Sequence, residues 1–347
     1  MCLRLAHRPY SLPFRAPVRT AHGLWTDRKG VIVRITNNDG GVGYGEAAPI
    51  PWFGTESLDD IIVALDALGE WVTPEQLAAV PARLGCLRFA LASACAEAGG
   101  RREAGGEGVA FLPVAALLPA GRAALTAIAP KAELGFRTFK WKVGVGDLAD
   151  ELALLDDVIA ALPGGSRLRL DANGAWEPRQ AVRWFERTAD RPVEFIEQPC
   201  FSTVSEGAVR GRRTEDVLRG LVEDYPTPVA LDESLVGADD VGRWLADGWR
   251  GVFVIKPSLL GDPAPVLAKL AAAGADVVFS SALETAVGAC AALRLAFAWR
   301  AEKPRALGFG VWPLFAQDGF NGPFAAPFFR VEDVERLNPE AVWNALT

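Results

Sequence analysis

Eight short apolar runs, near residues 112–117, 138–143, 167–171, 193–197, 228–232, 252–256, 276–280 and 306–309, constrain this chain most. They recur mostly at roughly 24–30 residues, with helix-patterned segments between them. Eight strand–helix units in about 200 residues are what a (β/α)8 TIM-type barrel requires. A doubly wound open sheet can use the same units. It wants a glycine-rich phosphate loop after an early strand, and none is present. The predicted class is α/β, with the barrel over 109–310.

The two ends of the chain read differently. Gly30–Ile35 alternates in polarity, Asn37-Asn38-Asp39-Gly40-Gly41 signals a turn, and Val42–Glu46 follows as a partner strand. From Leu58 to about Ala98 the pattern is helical, with Ile61, Ile62, Leu65 and Leu68 on one stripe. Gly99-Gly100 and Gly105-Gly106-Glu107-Gly108 read as a linker. Beyond Gly310 the tail carries Trp312, Phe315, Phe320, Phe324, Phe328 and Phe329, too aromatic for a disordered terminus. It is expected to pack back on the first region. The expected second unit is an α+β capping domain, residues 1–108, completed by 311–347.

Composition narrows the function classes. A formal charge of −7 and a pI near 5.1, with no basic run, argue against nucleic acid as a partner. Five scattered cysteines without a CxxC pair fit reduced thiols better than disulfides or zinc. No secretory signal and no bilayer-spanning apolar run is read, so a soluble, cytoplasmic protein is expected.

The charged residues fall in a pattern. In Thr138-Phe139-Lys140-Trp141-Lys142 the two lysines share one strand face and Trp141 takes the other. A half-exposed strand with solvated lysines explains this segment alone. Three later runs, however, end on carboxylates: Asp171, Glu197 and Asp232. A fourth ends on Lys256. One strand-end aspartate is as well explained as a helix N-cap. Three on consecutive strands, flanked by lysines, indicate one shared site at the C-terminal face of the barrel. Carboxylates without nearby His or Cys form a hard oxygen site suited to Mg²⁺ or Mn²⁺. A lysine beside a dication has a lowered pKa and can remove a proton, while the metal and remaining ammonium groups stabilise the developing negative charge.

Lys140-Trp141-Lys142, Asp171-Ala172-Asn173-Gly174, Glu197-Gln198-Pro199, Asp232-Glu233-Ser234 and Lys256 together resemble the enolase superfamily, in its muconate lactonising subgroup. The mandelate racemase branch needs a late catalytic histidine, and the only histidines are His7 and His22. Gly43-Tyr44-Gly45-Glu46-Ala47-Ala48-Pro49, Phe53-Gly54-Thr55-Glu56-Ser57 and Ser280–Gly288 resemble one branch of that subgroup. It dehydrates 2-succinyl-6-hydroxy-2,4-cyclohexadiene-1-carboxylate to o-succinylbenzoate, on the way to menaquinone or phylloquinone. The apolar Gly308–Leu314 segment stands where dipeptide epimerases of the subgroup carry Asp-x-Asp.

The resemblance implies Mg²⁺ on Asp171, Glu197 and Asp232, supported by Asn173 and Glu233. It implies Lys142 as base, Lys140 as charge partner and Lys256 as a cation facing the substrate ring. Trp52, Phe53, Ser280, Ser281 and Trp312 are the expected substrate-binding residues, with the Val18–Trp25 and Pro51–Gly54 segments excluding water. The stretch from Glu197 to Asp232 is longer than the family pattern and reads as an exposed insertion at 201–215. Cys200 reads as a spectator thiol. Three alternatives stay open on the residues alone: an N-acylamino acid racemase or dipeptide epimerase using the same lysines, a Schiff-base aldolase, and a non-catalytic metal-binding barrel.

Overall fold

A computed structural model describes residues 2–20, 23–100, 109–202, 208–299 and 304–346. His22, the 105–108 half of the expected linker and part of the 201–215 insertion lie outside the described residues.

The first region is an antiparallel sheet backed by helices. Strands β1 (Leu3–Thr20) and β2 (Gly23–Thr36) form a long hairpin, followed by β3 (Val42–Ala47), α1 (Leu58–Leu68), β4 (Trp71–Val72), α2 (Pro74–Ala78) and α3 (Gly85–Ala98). The sheet order is β3-β2-β1-β4. The Gly43/Gly45 alternation has a packing reason. A Cβ at Gly45 would meet the Ala90 carbonyl oxygen at 1.9 Å, and one at Gly43 would meet that of Ala94 at 2.1 Å. Bare glycine lets β3 lie directly against the backbone of α3.

The barrel runs β5 (Phe111–Pro113), β6 (Ala116–Leu118), α4 (Ala123–Glu133), β7 (Thr138–Lys142), α5 (Leu148–Ala161), β8 (Arg167–Asp171), α6 (Pro178–Thr188) and β9 (Val193–Glu197). It continues through α7 (Ala208–Asp224), β10 (Val229–Leu231), α8 (Ala238–Ala246), β11 (Val252–Ile255), α9 (Pro263–Ala272), β12 (Val277–Phe279) and α10 (Ala286–Ala298). Seven parallel strands, β6 to β12, are hydrogen-bonded in chain order. Leu307 bridges to Val114 and Gly308 to Ser280, both in parallel, so the eighth run closes the ring by two bridges.

Two expectations change. The run at 112–117 splits, because Pro113 has no N–H to continue a ladder. Its first half, β5, pairs antiparallel with β13 (Phe328–Arg330) from the tail. The 201–215 insertion is not simply a loop: from Ala208 onward it is the start of α7.

Strand alternation sorts the barrel side chains. Phe195, Ala230, Val252, Val254 and Val278 form a small interior cluster. Trp141, Leu168, Leu170, Ile196, Leu231 and Ile255 pack outward with the helices. Stepping two residues onward from Phe195, Ala230 and Val254 on the same face gives Glu197, Asp232 and Lys256. With Trp141 fully buried on the outer side, the solvated-strand reading of the lysines does not hold. The tail continues through α11 (Val331–Glu335) and α12 (Pro339–Ala345) and divides its aromatics. Phe315, Phe320 and Trp343 join Tyr10, Leu12 and Phe14 of the first region. Trp312 and Phe329 pack on the barrel, while Phe324 is exposed. Among the described residues no helix is long and apolar enough to cross a membrane.

Candidate active site

The C-terminal ends of β7 to β11 bring the six singled-out charged residues together. Lys140 Nζ lies 2.8 Å from Asp171 Oδ2 and 2.7 Å from Glu197 Oε1. Lys256 donates to Asp232 Oδ1. Lys142 donates to Asn173 Oδ1, and Asn173 Nδ2 donates to Glu233 Oε1 at 3.0 Å. Asn173 has φ 44°, and its own N–H reaches Asp171 Oδ1 at 3.2 Å. Asparagine tolerates that left-handed backbone because its short polar side chain bonds locally. In sheet order the three carboxylates stand between Lys142 on β7 and Lys256 just past β11.

The charges strain against burial. Burial alone would lower Lys140, but Asp171 and Glu197, then Asp232, hold it above the ordinary ammonium range. Glu197 is pushed up to about 8 by burial and then by the charge of Asp171. Asp171 stays below its ordinary value: burial opposes this, yet Lys140 and Lys142 outweigh it. Glu233 rises to about 7 through burial and then Asp232. Four acids, Asp171, Glu197, Asp232 and Glu233, thus stand among three lysines.

Among the described residues, no three acids, histidines or cysteines are already drawn together around a metal-sized gap. The Lys140 ammonium stands between Asp171 and Glu197 instead. The donor set nevertheless fits Mg²⁺. It is all carboxylate oxygen, and two members already share one cation.

The expected substrate contacts divide. The Phe53 ring lies 4.2 Å from Lys256 Nζ. Trp52 meets Trp25 edge-on at 4.7 Å, joining the two segments expected to cover the site. A cavity of about 1090 Å³ runs beside them, from Phe53 and Glu233 to Arg88. The Ser281 hydroxyl gives its one proton to Glu284 at 2.9 Å and accepts from the Leu283 N–H. Ser280 donates to the Gly308 carbonyl. Trp312 is 2% exposed, with its indole N–H on the Glu284 carbonyl, and so holds a packing position. The buried Cys200 thiol is pushed up to about 12 by burial, which fits a spectator.

Two devices escaped the sequence reading. Glu46 accepts from Tyr10 and from the Thr285 and Gly288 N–H groups, while Arg28 donates to the carbonyls of Ala48, Pro49, Ala282 and Leu283. These tie the first region to the loop after β12. The other is Gln198, whose amide reaches the segment after β10. Glu46 and Gln198 lie within the Gly43–Pro49 and Glu197–Pro199 motifs and Arg28 in neither, and their partners across the fold are distant in sequence and carry no local signal.

Residues 123–333 match the enolase C-terminal domain-like family, and residues 5–98 match the MenC N-terminal domain family. The o-succinylbenzoate synthase of Thermosynechococcus vestitus is 39% identical over 315 residues, covering 89% of this chain and 92% of its own length. A crystal structure of o-succinylbenzoate synthase from Thermosynechococcus elongatus BP-1, complexed with Mg in the active site, aligns with TM-score 0.82 and 36% identity. It covers 99% of this chain and 100% of that one. The L-Ala-D/L-Glu epimerase of Bacillus subtilis aligns with TM-score 0.77 at 22% identity over 94% of this chain and 95% of that one, a likeness of fold.

Proposed function

Since the chain belongs to the o-succinylbenzoate synthase family of the enolase superfamily, a family of lyases, we propose a defined reaction and division of roles. The reaction is loss of water from 2-succinyl-6-hydroxy-2,4-cyclohexadiene-1-carboxylate to give o-succinylbenzoate, a step toward menaquinone or phylloquinone. Residues 109–310 carry the chemistry, and residues 1–108 with 311–347 cap it. The observation that carries the reading is the strand order, with Lys142 and Lys256 flanking Asp171, Glu197 and Asp232 at one end of the barrel.

Asp171, Glu197 and Asp232 would hold Mg²⁺, with Mn²⁺ as a possible substitute. The bound ion's charge would offset the negative charge that builds on the substrate carboxylate as its α-proton leaves. Lys140 adds a second positive charge beside the same carboxylates. Lys142, in its neutral form, takes the α-proton. The electron pair released moves into the ring as the C–OH bond breaks, and the departing hydroxide takes the proton back from Lys142 and leaves as water. Asn173, itself held by Glu233, fixes the Lys142 amine. Lys256 stays an ammonium over the ring face, next to Phe53.

Formation of o-succinylbenzoate, followed by ultraviolet absorbance with purified protein, tests this reading. Product is expected with Mg²⁺, none after EDTA, and recovery when Mg²⁺ is restored. Undiminished turnover in the chelated, metal-stripped protein overturns the metal assignment. Absence of product from metal-replete, folded protein overturns the reaction.

A further inference from the structure

Gln198 stands immediately after Glu197 and is fully buried, with φ 37°. That left-handed backbone is unfavourable for a residue with a long side chain, and such strain persists only where its surroundings enforce it. Its Oε1 accepts from the Asp232 N–H at 2.9 Å and the Ser234 N–H at 3.1 Å. Its Nε2 donates to Ser234 Oγ at 2.8 Å and to the Cys200 carbonyl at 2.9 Å. Both donors and both lone pairs of the amide are used. The main chain adds two more ties, with its N–H on the Ala230 carbonyl at 2.8 Å and its carbonyl receiving the Gly174 N–H at 2.7 Å.

These six bonds join the ends of three neighbouring strands. On one side they hold the Asp232–Ser234 segment, where Asp232 receives Lys256 and Glu233 receives Asn173. On the other they hold the Asn173–Gly174 turn, where Asn173 receives Lys142. We propose that Gln198 is a positioning residue: it fixes the end of β10 against the ends of β8 and β9, and so sets the spacing of the two lysines and of the carboxylates between them. It touches no reacting atom. The proposal rests on the reading of Asp171, Glu197 and Asp232 as metal ligands, and its test separates the two.

Gln198→Met keeps the length of the side chain and removes all four amide contacts. Mg²⁺ is titrated calorimetrically into substrate-free protein, well below the melting temperature of each variant. Loss of a partner that orients a ligand costs about 10- to 100-fold in metal affinity, and that weakening is expected here. Gln198→Glu retains acceptors for the Asp232 and Ser234 N–H groups and should bind Mg²⁺ more tightly than Gln198→Met. A merely structural role lowers the melting temperature of both variants and leaves their Mg²⁺ affinity at the parent value, which overturns the proposal. Should Gln198→Met fail to fold, Ser234→Ala removes one bond from the other end. It should weaken Mg²⁺ in the same direction by a smaller factor, and parent-like affinity there counts against the proposal. Asp232→Asn is the control. If it binds Mg²⁺ like the parent, the metal-site reading fails rather than the role of Gln198.

Discussion

The two ends of the barrel each hold a buried group of charges, and they are built for opposite purposes. At the N-terminal end Arg169, 1% exposed, donates to Glu194 at 2.7 Å and to the Ala306 carbonyl at 2.7 Å. Arg305 adds contacts of 2.6 Å to Glu194 and to Asp276. Both guanidinium groups lie over the Phe195 ring, at 4.7 and 5.8 Å. Burial would raise Glu194, but Arg169, then Arg305 and Arg167, hold it below its ordinary range. Guanidinium does not deprotonate in a protein, so this end is fixed. The C-terminal end has the opposite balance, with carboxylates in excess and lysines, which can give up a proton, as the cations. β8 contributes to both, through Arg169 and Asp171 two residues apart on one face. Position along the strand, and the choice of arginine or lysine, separates a plug from the candidate active site.

Substituting one cation at each end puts that contrast at risk most directly. Lys142→Ala should lower turnover by about 10²–10⁴-fold while the melting temperature stays near the parent value. Lys256→Arg, which keeps a permanent cation at its place, should retain measurable dehydration. Near-normal turnover in Lys142→Ala together with an inactive Lys256→Arg would reverse the assignment of the base. At the other end Arg169→Ala should cost stability and leave kinetics per folded molecule unchanged. Removing one partner of a buried pair costs about 3–5 kcal/mol, and the lower figure is expected because Arg305 and Arg167 still reach Glu194. Denaturant unfolding and initial rates on the same sample measure both quantities.

A pH series sharpens the same contrast with a smaller effect. Glu194 is ionised more readily in the folded protein than its ordinary value of 4.5. Its stabilising contribution is therefore full above that value and is lost as pH falls through the folded-state pKa. Thermal melts should show this acid loss below about pH 4.5 in the parent, and a smaller loss over the same range in Arg169→Ala. An unchanged acid limb in the variant would mean that Arg169 does not hold the Glu194 charge. The smallest effect is expected at the rim. Phe53→Ala removes the ring beside Lys256, a cation–π contact worth about 0.5–1 kcal/mol at a partly open site. It should reduce kcat/KM a few-fold with little change in melting temperature. A large drop in melting temperature with normal kinetics would make Phe53 a core residue.

The strand-end residues were legible because the barrel imposes a period of two. A charge that ends an apolar run must face the barrel mouth, so Lys140, Lys142, Asp171, Glu197, Asp232 and Lys256 could be placed without any partner being known. What escaped depends on contacts between distant segments. Leu168 pairs with Val193 and Arg169 with Phe195, which makes Glu194 an extra residue beside Arg169, and nothing in Val193-Glu194-Phe195 announces that shift. Ser281 looked available from its sequence, but its one hydroxyl proton goes to Glu284 three residues on. Pro113 was a visible breaker, yet its consequence, the pairing of β5 with the tail, required the tail to be in place. The roles of Glu46 and Gln198 likewise exist only once strands far apart in sequence are neighbours.

A crystal structure of the protein grown with Mg²⁺ tests the central claim most directly. The account predicts Mg²⁺ coordinated by oxygens of Asp171, Glu197 and Asp232 at about 2.0–2.1 Å, with the Lys140 ammonium moved out from between Asp171 and Glu197. Mg²⁺ bound elsewhere, with Lys140 still bridging those two carboxylates at a saturating concentration, would contradict it.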